Sequence, residues 1–151
     1  MQRASKEAER SMAEVVRFHF DVDGNNFTMA GQASVEVKKS LRQLGISPET
    51  IRRVSVAMYE GEINMVIHAG GGTADVLVYE NFIEIILADE GPGISNLELA
   101  MQEGFSTAPD NVRSLGFGAG MGLPNMKRYT DSMDIETALG KGTKITMRVN
   151  F

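Results

Sequence analysis

A two-layer α/β sandwich of the α+β class, with helices on one face of a mainly antiparallel mixed sheet, is the fold this sequence predicts. Three observations carry that expectation. The elements read in the order strand, two helices, two strands, helix, loop, helix, two strands. Consecutive strands are joined by short polar turns, as hairpins require. The 151 residues, 42% of them hydrophobic, suffice for one core and not for two. The expected organisation is a flexible tail over residues 1–14 and a single domain over 15–151.

The first strand is "VVRFHFDVD", whose apolar residues alternate with the two-residue period of a half-buried strand, and "GNN" turns the chain after it. Residues 29–44 place Ala33, Val37 and Leu41 at four-residue spacing before Gly45, the pattern of an amphipathic helix and its stop. The next helix has a strong start: Ser47 as cap, Pro48 at the first helical position and Glu49 in the first turn. It is predicted to run to about residue 69, where "GGG" ends it. "TADVLVYE" and "NFIEIILAD" form a hairpin, and "SNLELAMQEG" is a short helix capped by Ser95 or Asn96. Residues 104–115 lack periodicity and read as a loop. A helix over 123–131, with Pro124 near its start, and a final hairpin turning at Gly140, Lys141 and Gly142 complete the chain.

Composition excludes several kinds of function. A net charge of −5 offers no basic field for a nucleic-acid backbone, although a locally held phosphate is compatible with it. Zero cysteines remove disulfides, thiolate catalysis and cysteine-ligated zinc, and His19 and His68 alone make a poor metal site. The longest apolar runs, such as "FIEIILA", carry a charge and fall far short of the roughly 20 residues that span a bilayer. A cytoplasmic protein with no membrane or nucleic-acid partner is expected.

Three stretches carry chemistry. In "LADEGPGI", Asp89 ends a buried strand, where a carboxylate is costly unless hydrogen-bonded. An exposed acid at a glycine turn fits that position, and so does an acceptor for an exocyclic amine, with Gly91 and Gly93 admitting a flat ring. In "LGFGAGMGLPN" the spacing is neither a P-loop nor GxGxxG, yet a loop before and a helix after leave backbone N–H groups aimed at an anion. The same glycines also suit a hinge or a closely packed helix start. In "YEGEIN", Glu60 and Asn64 stand at i and i+4 on one helical face, either as a solvated stripe shared with Glu62 or as a general base and a ligand for a phosphate-bridging metal. His68 lies one turn further on.

Taken together, these stretches resemble the Bergerat-fold (GHKL) ATP-binding domains of gyrase-type topoisomerases, heat-shock chaperones, sensor histidine kinases and mismatch-repair ATPases. "EGEIN" corresponds to the N box, "DEGPG" to the first glycine box, "GFGAGMG" to the second, and "GKGT" to the late Gly-Thr. Four boxes in order over nearly the whole chain make a specific match. Within that group the chain resembles the small bacterial serine/threonine kinases that double as anti-sigma or switch proteins, the RsbW, SpoIIAB and RsbT type. "DEGPGI", "EGFST" and "GFGAGMGLPNMKR" are most similar to the RsbT branch.

The resemblance implies ATP and Mg2+ as cofactors. It assigns Asp89, supported by Thr143, to the adenine amine, with Gly91, Gly93 and Ile94 beside it. Asn64 goes to magnesium, and Gly116, Gly118, Ala119, Gly120, Met121, Gly122 and Leu123 to the phosphates. Glu60 is the base, and Arg113 reaches the terminal phosphate from a lid over 104–115. His68 enters the ATP-binding set through its place along the Asn64 edge, where a structural histidine fits as well. The implied activity is that of a protein serine/threonine kinase acting on a STAS-domain antagonist. The alternative is a nucleotide-dependent module that sequesters a sigma factor or phosphatase with little or no phosphotransfer. A homodimer is compatible with either. A histidine-kinase fragment is disfavoured because no dimerisation hairpin precedes residue 15, and a stand-alone ATPase because no transducer follows Phe151. Gly61, inside the N-box helix, costs about 1 kcal/mol against alanine and implies close packing or a bend.

Overall fold

A computed structural model of the chain describes residues 16–25, 30–102 and 122–151. Five strands form one sheet in the order β1-β2-β3-β5-β4, with β1 Val16–Asp23, β2 Gly71–Val78, β3 Phe82–Asp89, β4 Ser132–Ala138 and β5 Gly142–Asn150. Every pairing is antiparallel, so the expected mainly antiparallel sheet contains no parallel pair among the described residues. Helices α1 (Gln32–Gln43), α2 (Pro48–Asn64) and α4 (Gly122–Arg128) form the second layer, and α3 (Leu97–Ala100) is a single turn.

The strand alternation selects the buried face. Ile83, Ile85 and Leu87 of β3 meet Ala74 and Val76 of β2 and Ile145, Met147 and Val149 of β5 in one core. Val37 and Leu41 of α1, Val54, Ala57 and Met58 of α2 and Met126 of α4 close it from above. Each fully buried large aliphatic side chain contributes about 1.5 to 3 kcal/mol, so this layer contact dominates the stability of the fold.

Local signals set the helix boundaries. The Ser47 hydroxyl accepts from the Thr50 N–H at 3.3 Å, and Pro48 occupies the first turn, as its sequence implies. Asn96, rather than Ser95, caps α3 by accepting from Leu99 at 3.0 Å. Helix α1 begins at Gln32, later than the sequence pattern suggests, because Gly31 adopts φ +94° and breaks the helical path. The long helix does reach Ala69, but its last segment, Met65–Ala69, is π-helical and stops at Gly70. Gly61 resolves in favour of close packing: a Cβ there would lie 2.0 Å from Leu87 Cδ1, so the glycine lets α2 sit flush on β3.

Candidate functional site

The site residues fall into two groups, one on α2 and α4 and one where β3 ends against the β4–β5 hairpin. In the first group, Glu60 and Asn64 face α4. Asn125 Nδ2 donates to Glu60 Oε1 at 3.3 Å. The Asn64 amide lies so close to Gly122 that a Cβ at that residue would be 2.8 Å from Nδ2. Both side chains are half-buried, so the pair is set against the start of α4 and is not a fully solvated stripe. Leu123 is buried in the core beneath that helix start.

Glu62 departs from the expected stripe altogether. It is 2% exposed and accepts from the Gly31, Ala33 and Ser34 N–H groups at 2.9, 3.3 and 2.6 Å. Gly31 has no side chain with which to cap α1, so a carboxylate from α2 satisfies the donors that a helix N-terminus leaves open. Burial pushes the Glu62 carboxyl above its usual range, while the three backbone donors pull it back.

In the second group, sheet register places Asp89 opposite Thr143. Asp89 Oδ1 accepts from the Gly91 N–H at 3.0 Å and from the Thr143 N–H at 3.2 Å, which supplies the hydrogen bonds that a carboxylate at a strand end needs. Among the described residues both bonds fall on Oδ1 and none on Oδ2. Thr137 knits the neighbourhood together. Its Oγ1 accepts from the Ile94 N–H at 2.9 Å and lies 2.9 Å from Thr143 Oγ1. Gly142, at φ +111°, allows the hairpin to approach so closely that a Cβ would lie 2.1 Å from the Asp89 carbonyl oxygen. A Cβ on Gly93 would likewise meet the Ala138 carbonyl at 2.5 Å.

The π-helix joins the two groups. Its last residue, Ala69, abuts Gly91, where a Cβ would lie 2.6 Å from Ala69 Cβ. Isolated π turns concentrate at functional sites, and this one carries the chain directly from Asn64 to the Asp89 turn. It also takes His68 out of the 3.6-residue register that its spacing from Asn64 implied. His68 is half-buried, and burial pulls its pKa down. Arg113, Gly116, Gly118, Ala119, Gly120 and Met121, with the proposed lid over 104–115, lie outside the described residues.

Asn125, Thr137 and Glu62 were not singled out as site or capping residues from the sequence. Asn125 follows Pro124 at a helix start, but its partner Glu60 lies 65 residues away on α2, which local sequence does not announce. Thr137 carries no signal either, because its role exists only through sheet pairing.

The histidine kinase-like ATPase domain model matches residues 9–149. The chain belongs to that family. The chain is 34% identical over 124 residues to an anti-sigma F factor of Clostridium acetobutylicum, covering 79% of this chain and 83% of that protein. It is 31% identical over 108 residues to the serine/threonine-protein kinase RsbT of Bacillus subtilis, covering 69% and 75%. Among solved structures, the RsbU and RsbW domains of a Mycobacterium tuberculosis protein superpose with a TM-score of 0.62 at 15% identity, over 89% of this chain and 32% of that longer one. A SiaB–SiaC complex from Pseudomonas aeruginosa superposes with a TM-score of 0.54 at 10% identity, over 100% and 98%. At those identities the two structures share the fold. No helix among the described residues is long and apolar enough to cross a membrane.

Proposed function

We propose that this domain is an ATP-dependent protein serine/threonine kinase that acts as an anti-sigma or switch regulator and phosphorylates a STAS-domain antagonist in the cytoplasm. The observation that carries the proposal is the placement of Glu60 and Asn64 together against the start of α4, with the π turn leading from them to Asp89. Similarity to an anti-sigma F factor and to the kinase RsbT supports the same reading.

The donor set fits a nucleotide. Asp89 is anchored through Oδ1, so Oδ2 presents an acceptor for the adenine amine, with Thr143 fixed beside it through Thr137. Asn64 offers an amide oxygen at the helix start. Among the described residues no group of three or more His, Cys, Asp or Glu could hold a metal. Asn64 would be the side chain that holds a magnesium ion brought in with the nucleotide, and the ion would supply charge neutralisation at the phosphates. When bound, ATP supplies the transferable phosphoryl group. Glu60 accepts the proton of the attacking serine or threonine hydroxyl, while Asn125 orients its carboxylate. Arg113 and the glycines over 116–121 enter the proposal through their motif.

The test is incubation of the full chain with labelled ATP, magnesium and candidate STAS proteins. Labelling of a serine or threonine on one of them is expected. If a STAS protein binds in a nucleotide-dependent way yet is never labelled, the chain is a sequestering module, as the name of its anti-sigma relative allows.

A further inference from the structure

The two ends of α2 carry different chemistry. Its N-terminal end packs against the last turns of α1 and borders a groove of about 490 Å3. Lys38 and Arg42 from α1 and Arg52 from α2 line it. Ile46, Pro48, Ile51 and Val56 give the groove an apolar floor. Ser55 also lines it, and its Oγ is buried with no hydrogen-bond partner among the described residues.

These cations differ from three other arginines of the described residues. Arg17 pairs with Asp75, Arg53 with Asp131 and Arg148 with Glu84. Among the described residues Lys38, Arg42 and Arg52 pair with no carboxylate. Arg52 reaches the Tyr129 hydroxyl at 3.4 Å and lies 5.5 Å from the centre of its ring. A lone solvated cation needs no partner. Three around one apolar floor, in a chain of net charge −5, form a local reversal of sign that suits an amphipathic ligand.

We infer that this groove docks an acidic segment of a partner protein, whose carboxylates meet Lys38, Arg42 and Arg52 and whose neighbouring aliphatic side chains cover the floor. Charge complementarity selects the sign of the partner. The apolar floor selects a peptide over a nucleic acid, since phosphates gain nothing from aliphatic contact and the chain lacks a wider basic field. Arg52 lies about 18 Å along α2 from Asn64, so a segment bound here leaves the Glu60–Asn64 end free. Docking therefore does not depend on phosphotransfer.

The experiment titrates the full chain with a fluorescein-labelled synthetic peptide pool in which Asp or Glu alternates with Leu or Val. A second pool replaces every acid by its amide, and single-stranded DNA serves as a polyanion. The acidic pool is expected to bind about tenfold or more tightly than the amide pool and to weaken with salt. Amide shifts should cluster over residues 38–56. Lys38→Glu together with Arg42→Glu should lower that affinity by about tenfold or more. Both side chains are exposed, so the melting temperature of the double variant should match that of the parent. Equal binding of the two pools overturns the inference, as does unchanged affinity in the double variant or equally tight DNA binding at the same residues. None of these outcomes depends on whether a STAS protein is ever phosphorylated.

Discussion

At the scale of single residues, one oxygen of Asp89 belongs to the fold, and the proposed function gives the other to the adenine amine. Oδ1 holds the turn through Gly91 and Thr143, and an amide oxygen can take over both bonds. Asp89→Asn should therefore fold like the parent but turn an NH2 group toward the adenine amine, removing the acceptor. The lost charge-assisted hydrogen bond corresponds to about 1.5 to 3 kcal/mol, a ten- to hundredfold loss of ATP affinity. Isothermal titration of the variant measures it, and an unchanged dissociation constant would remove Asp89 from the nucleotide site.

At the scale of elements, what was legible depended on how far apart the partners lie in sequence. Ser47 and Pro48 announce α2 because a cap bonds within its own turn. Glu62 gives no such notice, since its donors lie 28 to 31 residues away, and an acid between apolar neighbours reads as part of a solvated face. Thr137 reaches Ile94 across 43 residues and is equally silent. The π segment was hidden for a related reason: apolar spacing fixes which residues face the core, not whether a turn widens before Gly70. Gly61 was legible as an anomaly, but its cause, Leu87, is visible only once α2 lies on β3. The Glu62 contact also makes a prediction. Glu62→Ala would leave three helix-start donors without an acceptor and open a cavity between α1 and α2, a loss of about 2 to 4 kcal/mol. Glu62→Gln, which keeps the volume but sets an NH2 group among donors, should fall between that variant and the parent. Urea denaturation measures both. A Glu62→Ala variant as stable as the parent would mean that the α1 donors are satisfied in another way.

At the scale of the whole molecule, the helix layer offers a partner groove at one end of α2 and a carboxylate–amide pair at the other. Binding and chemistry are then separable by mutation. Glu60→Gln keeps the side-chain volume, and its carbonyl oxygen can still accept from Asn125. The sheet end of the site, built from Asp89, Thr143 and Thr137, is untouched by the change. ATP affinity and partner binding should therefore stay at the parent level. What disappears is the group proposed to take the hydroxyl proton, and general-base catalysis contributes about 100- to 10,000-fold. Transfer to a STAS substrate should fall within that range and leave the residual rate that positioning alone supplies. Single-turnover labelling at saturating ATP separates the two effects, because it reads the chemical step without the binding step. A variant that labels its substrate at the parent rate would show that Glu60 is not the base. Loss of labelling together with loss of ATP binding would instead make Glu60 part of the nucleotide pocket, leaving the proton to another acceptor.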